Sequence, residues 1–426
     1  MRRKICSIVL IFICILTISA GCGSRNQVII YEDPGDRETT TITFFGNKYE
    51  PENVTVIEEI ISGFMEDNPD IRVSYESLKG SEYYEALGKR MESGRGDDVF
   101  MVNHDILLEL DEKGQVADLS ELSSIGNFTE QMLGQMETDG KITWIPTTVS
   151  VFGLYCNMDL LHEHGQEIPQ NLQEWEAVCE YFVQKGITPV VANNDISLKT
   201  LAIGRGFYSV YAEGREEEVL ERLNSGGEQL SEYLTDGFAI AGEFINKGYI
   251  DGEKALNTKK TSDDLEQFAK GESPFMLTGA WAAGRMKGLA PEFDFEIHPL
   301  PVLDDGPLLV INADTRLSVN ADSEHPEAAM KFVEYFTRSD NIQKFSDQQS
   351  SFSPLKSGNS TLGAELQPLV SCYGEGRTVI GTDSQLELPI WGLTAEVSEK
   401  LLSGESLNAA MEWLDQQTEK EGNLPQ

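Results

Sequence analysis

Positive charge is scarce in this chain: 33 Lys and Arg stand against 71 Asp and Glu, for a formal charge of −38. Such a surface repels phosphate backbones and anionic headgroups, which argues against nucleic acid as a partner and against direct docking on a membrane surface. Histidine is scarcer still, with five scattered residues: His104, His162, His164, His298 and His325. His162-Glu163-His164 is spaced too tightly for the helix-borne metal motif, so no metal site and no cofactor is implied. Cysteine is sparse as well. Cys6, Cys14 and Cys22 belong to the N-terminal stretch, which leaves Cys156, Cys179 and Cys372 far apart and without a C-x-x-C pair. That rules out a disulfide scaffold and a zinc site; one disulfide at most could form, and three buried thiols fit equally well. A G-x-S-x-G nucleophile elbow is missing too.

Long apolar runs occur once, at the start. Arg2, Arg3 and Lys4 precede an almost unbroken apolar run from Ile5 to Ile18, and Ser19-Ala20-Gly21-Cys22 closes it with small residues. A basic start, a short apolar stretch and a small-residue cleavage site mark a secretory signal, expected over residues 1–21. The run is shorter than the ~20 apolar residues of a spanning helix. It resembles a bacterial lipobox, with Ser19 in place of the commoner Leu. That resemblance implies cleavage before Cys22, a diacylglyceryl group on its sulfur, and export to the outer face of the cytoplasmic membrane. Gly23 to Thr40 is polar and aperiodic, and reads as a tether. Contact with the membrane is then through the lipid alone.

The chain beyond the tether is long enough for two domains or one large one. Thr41–Phe45 is β-branched and aromatic, a buried strand by composition. Val54, Ile57, Ile61 and Phe64 recur at helical spacing until Asn68-Pro69. Ile71–Tyr75 alternates as a strand, Tyr83–Met91 is helical, Asp98–Val102 is extended, and Ile106–Leu110 opens a helix stopped at Gly114. Val149–Cys156, Ile187–Ala192, Pro274–Leu277, Phe293–Ile297 and Leu308–Asn312 read as strands. Leu198–Asn246 reads as long acidic helix interrupted at Gly226-Gly227, Pro326–Phe336 as an amphipathic helix, and Ala395–Glu419 as helix. Strand and helix alternate, which predicts an α/β fold with largely parallel sheets flanked by helices.

The order of several phrases is distinctive. Phe64, Asn68-Pro69-Asp70-Ile71 and Val73 are followed by Gly94, Asp98-Val99-Phe100, then Gly114, Val116 and Asp118-Leu119. Ile145-Pro146, Leu154-Tyr155-Cys156-Asn157-Met158-Asp159-Leu160, Pro169 with Trp175, and Gly186-Ile187-Thr188-Pro189 come next. Gly279-Ala280-Trp281, Pro299-Leu300-Pro301, Ala328 with Phe332-Val333 and Tyr335-Phe336, and Phe352 with Pro354 complete the series. Together they resemble the family 1 extracellular solute-binding proteins, the sugar-binding components of ABC importers, over residues 41–420. Asp97 stands where that family usually has Pro, and Cys156 interrupts its usual Tyr-Asn pair.

The resemblance implies a two-lobed periplasmic-binding-protein-like fold whose chain crosses between lobes more than once. One lobe would comprise 41–147 with 302–352, the other 150–299 with 356–426, the crossings falling near Thr147–Ser150, Pro299–Val302 and Ser353–Lys356. It implies a monomeric receptor that captures a carbohydrate between lobes and hands it to ABC permease subunits. Alternatives with the same export signal are a secreted carbohydrate-active enzyme, a binding protein for another solute, and one serving a sensor kinase.

A sugar offers hydroxyls at its edge and an apolar C–H face, so its site needs aromatic platforms and side chains that donate and accept hydrogen bonds. Trp281, at the end of the Pro274–Leu277 strand, and Trp391, before the last helices, occupy aromatic positions of the family. Asp105 lies just beyond the Asp98–Val102 strand, where an acidic residue also serves as an ordinary N-cap. Asn47 and Tyr49 follow the first strand, and Ser150 lies at the first crossing. Trp144 and Trp175 read as packing residues.

Overall fold

The computed structural model describes the backbone of Gln27–Ile29 and residues 39–421 apart from Asp139 and 359–361. The expected leader, Cys22 and most of the tether lie outside the described residues. Among the described residues no helix is long and apolar enough to cross a membrane.

The first lobe begins with β1 (Gln27–Ile29), β2 (Thr40–Gly46), β3 (Ile71–Ser77) and β4 (Val99–Val102). Helix Pro51–Asp67 links β2 to β3: Pro51 sits in its first turn, and Val54, Ile57, Ile60, Ile61 and Phe64 form the buried stripe. It ends where Asn68 donates its N–H back to the Phe64 carbonyl, with Pro69 beyond. β2 pairs in parallel with β3 and β4, the arrangement that helical crossovers between strands produce. A short hairpin, β5 (Glu137–Thr138) with β6 (Lys141–Ile142), precedes the long β7 (Ile145–Asn157).

β8 (Val190–Val191), β9 (Phe275–Gly279), β10 (Phe295–His298), β11 (Leu309–Val319) and β12 (Thr378–Ile380) complete the set. All but β5 and β6 join one sheet, ordered β1-β3-β2-β4-β11-β7-β9-β8, with β10 added to β7 and β12 to β11. Parallel pairs lie within each lobe (β2/β3, β2/β4, β8/β9, β11/β12). The two long strands, β7 and β11, are antiparallel to each other and carry the sheet from one lobe into the next.

Side chains alternate across the sheet, as the period of two requires. Phe152, Leu154 and Cys156 of β7, Phe275 and Leu277 of β9, and Leu308 and Val310 at β11 enter one core. That core includes helices Leu172–Gln184, Ile196–Ala212, Leu230–Asn246 and Ile390–Leu402. Val151, Tyr155, Met276, Leu309 and Ile311 face a second core, continuous with that of the first lobe. Trp175 is fully buried, 4.6 Å from the Phe244 ring centroid. The three described cysteines are free, buried thiols.

Several expectations change. The crossing expected near Pro299–Val302 is displaced, because Leu300 and Leu308 pair in a hairpin and, with Val302 and Leu303, pack in the second-lobe core. Within β11 the partner changes: Ile311 pairs with Ile380 of β12, whereas Arg316 pairs with Val102 of β4. The strand read as Leu308–Asn312 therefore runs on to Val319. The acidic helical stretch after Leu198 is three helices, broken at Gly214 as well as at Gly226; both glycines hold positive φ (63° and 68°), open to them at little cost.

Candidate ligand-binding cleft

Where β7 and β11 pass between lobes, their polar residues collect. Ser150, Thr147 and Thr148 on β7 stand opposite Asn312, Asp314 and Thr315 on β11. Ser150 donates to Asp314 Oδ2 at 2.6 Å, and Asp314 Oδ1 accepts from the Thr315 N–H at 2.7 Å. Thr315, β-branched and buried, holds φ +47°, and its carbonyl accepts from Thr147 Oγ1 at 2.8 Å. A β-branched residue in the left-handed region is an outlier costing about 1–3 kcal/mol, and such strain gathers where function over-determines the backbone.

Arg316 follows, only 1% exposed. Its guanidinium lies 4.0 Å from the Trp144 ring centroid, Nε donates to the Ala313 carbonyl at 2.9 Å, and Nη2 donates to the Thr382 carbonyl at 3.0 Å. Burial lowers its pKa to about 10, against the raising influence of Asp314, Asp105 and Asp383. Trp144 is thus a packing residue, and what it packs is this cation.

The first lobe contributes the loop after β2 and the helix after β4. Asn47 Nδ2 donates to the Tyr84 hydroxyl at 3.1 Å. Lys48 is partly buried, and its pKa is lowered by burial although Asp314 and Glu50 oppose this. Tyr49 lies under the Lys79 ammonium, 5.6 Å from the ring centroid; burial and Glu50 push its hydroxyl up to about 12. Asp105 sits in the first turn of helix His104–Glu112, which Asn103 caps through the Ile106 N–H. Asp105 Oδ2 accepts from the Gly392 N–H of the other lobe at 2.9 Å. Burial raises the Asp105 pKa, opposed by that hydrogen bond, Lys199 and Arg316.

The second lobe supplies the aromatic wall. Phe152 stands between Trp281 and Trp391, with both indoles 5.1 Å from its ring centroid. Trp281 lies back over Gly279, whose missing Cβ would overlap the indole. Lys199, 1% exposed, sits 4.0 Å above the Trp391 ring and donates to the Trp391 carbonyl at 3.2 Å. Burial brings Lys199 down to about 8, while its ion pair with Asp195 pulls the other way. Burial would raise Asp195, but Lys199 and Lys260 outweigh it and hold the carboxylate well below its usual range. Glu50 of the first lobe and Arg285 of the second approach to 3.6 Å at the rim.

Of the six residues expected to line a site, Trp281 and Trp391 share the Phe152 platform. Asn47 is bonded to Tyr84, whose pKa is raised by burial and by nearby charges including Asp314 and Asp105. Ser150 is present, but its hydroxyl is engaged by Asp314. Tyr49 is at the rim, beside Glu50 and Arg285. Sequence reading missed Tyr84, Phe152, Lys199, Asn312, Asp314 and Arg316. A signal existed for three of them, since Asn312, Asp314 and Arg316 fall at every second position of one strand. Four buried polar atoms around this space have no hydrogen-bond partner among the described residues: Asn47 Oδ1, Asp105 Oδ1, Asn312 Oδ1 and Arg316 Nη1.

Two lobes on a shared pair of crossing strands, with clustered aromatic rings and unpaired buried donors and acceptors near their junction, are the architecture of a two-lobed solute-binding protein. Residues 48–343 match the family described as bacterial extracellular solute-binding protein, and the chain belongs to that family. It is 24% identical over 346 residues to a multiple sugar-binding protein of Streptococcus mutans, spanning 78% of this chain and 79% of that protein. It is 25% identical over 299 residues to the maltodextrin-binding protein MdxE of Bacillus subtilis, 68% of each. Among solved structures, apo RafE of Streptococcus pneumoniae superposes with a TM-score of 0.69 at 23% identity, covering 91% of this chain and 99% of that one. A Bacillus licheniformis sugar transporter in complex with stachyose gives 0.69 at 20% identity, covering 90% of this chain and all of the other.

Proposed function

We propose that this chain is a sugar receptor: it captures an oligosaccharide between its lobes and presents it to the permease of an ABC importer, without altering it. The observation that carries this is the set of unpaired buried atoms. Three acceptors (Asn47 Oδ1, Asp105 Oδ1, Asn312 Oδ1) and one donor (Arg316 Nη1) are buried without partners; Asn312 Oδ1 and the Trp391 ring both border Gly381, and Asp105 reaches Gly392 beside Trp391. A sugar hydroxyl both donates and accepts, so one ring edge satisfies such a mixed set while its C–H face lies on an indole. Leaving each such group unpaired costs about 1–3 kcal/mol. A carboxylate ligand would pair with Arg316 and leave the three acceptors unmatched. Two curated relatives carry sugar-binding names, and two solved neighbours hold raffinose and stachyose.

In this reading Trp281 and Trp391 stack on the sugar, and Asn47, Asp105, Asn312 and Arg316 take its hydroxyls. Ser150 fixes Asp314 beside them, and Tyr49 closes the rim. The lobes divide at β7 and β11: residues up to about 147 with 316–352, and 151–311 with the remainder. The ligand favours closure only by its greater affinity for the closed form. Cys22 carries the lipid, and two acyl chains suffice for stable anchoring where one does not. The receptor works as a monomer.

Incubation with a panel of oligosaccharides tests the assignment. A thermal shift with the sugar recovered intact supports a receptor; shorter products identify an enzyme instead. A shift from another solute class and none from any sugar refutes the carbohydrate reading. Cys22→Ala should release the protein from the membrane fraction.

A further inference from the structure

One connection makes several polar contacts between lobes. After β12, the chain from Gly381 to Gly392 runs along the first lobe before helix Ile390–Leu402 carries it away. The Thr382 carbonyl accepts from Arg316 Nη2 at 3.0 Å. Ser384 donates its N–H to Gln135 Oε1 at 3.0 Å and its hydroxyl to the Gln135 carbonyl. The Gly392 N–H donates to Asp105 Oδ2 at 2.9 Å.

The last of these is a helix cap supplied from another lobe. The N-cap position of helix Ile390–Leu402 is Pro389, which provides no side-chain acceptor. The first intrahelical bond runs from the Leu393 N–H to the Pro389 carbonyl, so the Gly392 N–H has no acceptor within the helix. Asp105, on the other side of the cleft, takes it and sets a carboxylate at the positive end of a thirteen-residue helix. Trp391 is the residue before this bond. Its carbonyl is held from the second lobe by Lys199, and its ring is packed on Phe152.

We propose that Asp105 is the positioning residue of the closed state: it caps helix Ile390–Leu402 across the cleft and thereby fixes Trp391 against the ligand. This rests on the reading of Trp391 as a ligand platform for its effect on affinity, but not for its effect on closure. One carboxylate oxygen serves the cap and the other, Oδ1, is left for the ligand, so lobe closure and ligand contact share a single side chain. A carboxylate placed only to touch the ligand would have no cause to satisfy the other lobe's backbone. The open form loses the cap and leaves Trp391 tied to its own lobe alone.

Cysteines introduced at exposed Glu82 and Glu396 and spin-labelled report the lobe separation by pulsed electron resonance, since Cys156, Cys179 and Cys372 are buried. Without ligand, the parent protein is expected to show a short-distance population. Asp105→Ala should deplete it roughly tenfold relative to the long-distance one, the scale of a lost helix cap. Gly392→Pro, which removes the donor and leaves Asp105 intact, should do the same. Asp105→Asn keeps an acceptor oxygen and should restore most of it. With raffinose and stachyose as probes, Asp105→Ala should weaken binding by a smaller factor in a Trp391→Ala background than in the parent. Equal distance distributions for parent and Asp105→Ala overturn the proposal, as does a parent with no short-distance population. So does an Asp105→Ala effect on affinity that Trp391→Ala leaves unchanged. If neither sugar moves any distribution, the sugar reading fails while the unliganded comparison still decides the cap.

Discussion

Adding one methyl group at Gly279 should disable the cleft without unfolding the protein. The indole of Trp281 lies back over this glycine, and a Cβ there would overlap its Cη2, Cζ3 and Cε3 atoms. Carbon atoms in contact ordinarily stay about 3.5–4.0 Å apart, so the ring must retreat by more than about 1 Å. It cannot retreat toward Phe152, whose ring already meets it edge to face at 5.1 Å. The remaining way is outward, into the space a ligand would fill. The stacking and face burial of one aromatic ring are worth about 1–3 kcal/mol, or about one to two decades of affinity. The backbone at Gly279 is extended, with φ −77°, so alanine brings no backbone strain and the ligand-free protein should melt near the parent temperature. Calorimetric titration of Gly279→Ala with raffinose and stachyose, beside Trp281→Ala, provides the assay. Trp281→Ala should weaken binding by about the full one to two decades, and Gly279→Ala should lose at least tenfold. Parent-like affinity in Gly279→Ala would show that the ring's lean over the glycine is not what the ligand sees. Parent-like affinity in Trp281→Ala would move the binding wall elsewhere.

Other perturbations reach the charged layer beneath that wall. Arg316→Met keeps contact with Trp144 but strands Asp314 and Asp105 without their cation, and removing one partner from a buried charge cluster costs about 3–5 kcal/mol. The loss should be larger at pH 7 than at pH 5, because Asp105, whose pKa burial already raises, loses the lowering influence of Arg316 and recovers by taking up a proton as the pH falls; urea unfolding at both pH values checks it. His104 is 3% exposed, and burial lowers its pKa to about 3. Its unfolded form takes up a proton near pH 6.5, so the stability it supports is present above that pH and drains as the pH falls toward 3. His104→Phe should flatten the melting temperature over that window, and an unchanged slope would assign the acid sensitivity to other groups. Lys199→Met should cost about tenfold in sugar affinity by freeing Trp391, given a cation–π contact and a charge-assisted bond on that residue. Affinity of the parent should also decline above about pH 8, where the Lys199 ammonium deprotonates, and that decline should vanish in Lys199→Met.

Much of the fold was legible because each lobe obeys local rules. Pro326–Phe336 has the limits its apolar spacing predicts, and helix Pro51–Asp67 begins at a proline and stops before another. Trp281, Trp391, Asp105 and Asn47 were legible as cleft candidates from the family phrases and from their places just beyond strands or before a helix. β11 was illegible for the opposite reason. Leu308–Asn312 reads as a strand, but Asn312, Asp314 and Arg316 then replace apolar side chains at every second position, and the hydrophobic signal stops although the strand continues. Arg316 looks in sequence like any surface arginine, and only the aromatic ring beneath it and the carbonyls around it reveal a buried cation. Lys199 sits in an otherwise apolar helical turn, and nothing in its spacing announces that Trp391, far along the chain, lies beneath it. The proline pair Pro299/Pro301 looked like a lobe entry; it stiffens a hairpin that stays in the second core.

The pairing of β7 with β11 has a mechanical consequence. Their ladder runs from Ile145 and Leu317 at one end to Phe152 and Val310 at the other, so the link between lobes is a two-ply ribbon rather than a pair of loose threads. Every rung of that ladder is a backbone pair, so the lobes are joined by hydrogen bonds as well as by chain, and sliding one strand along the other would break those rungs together.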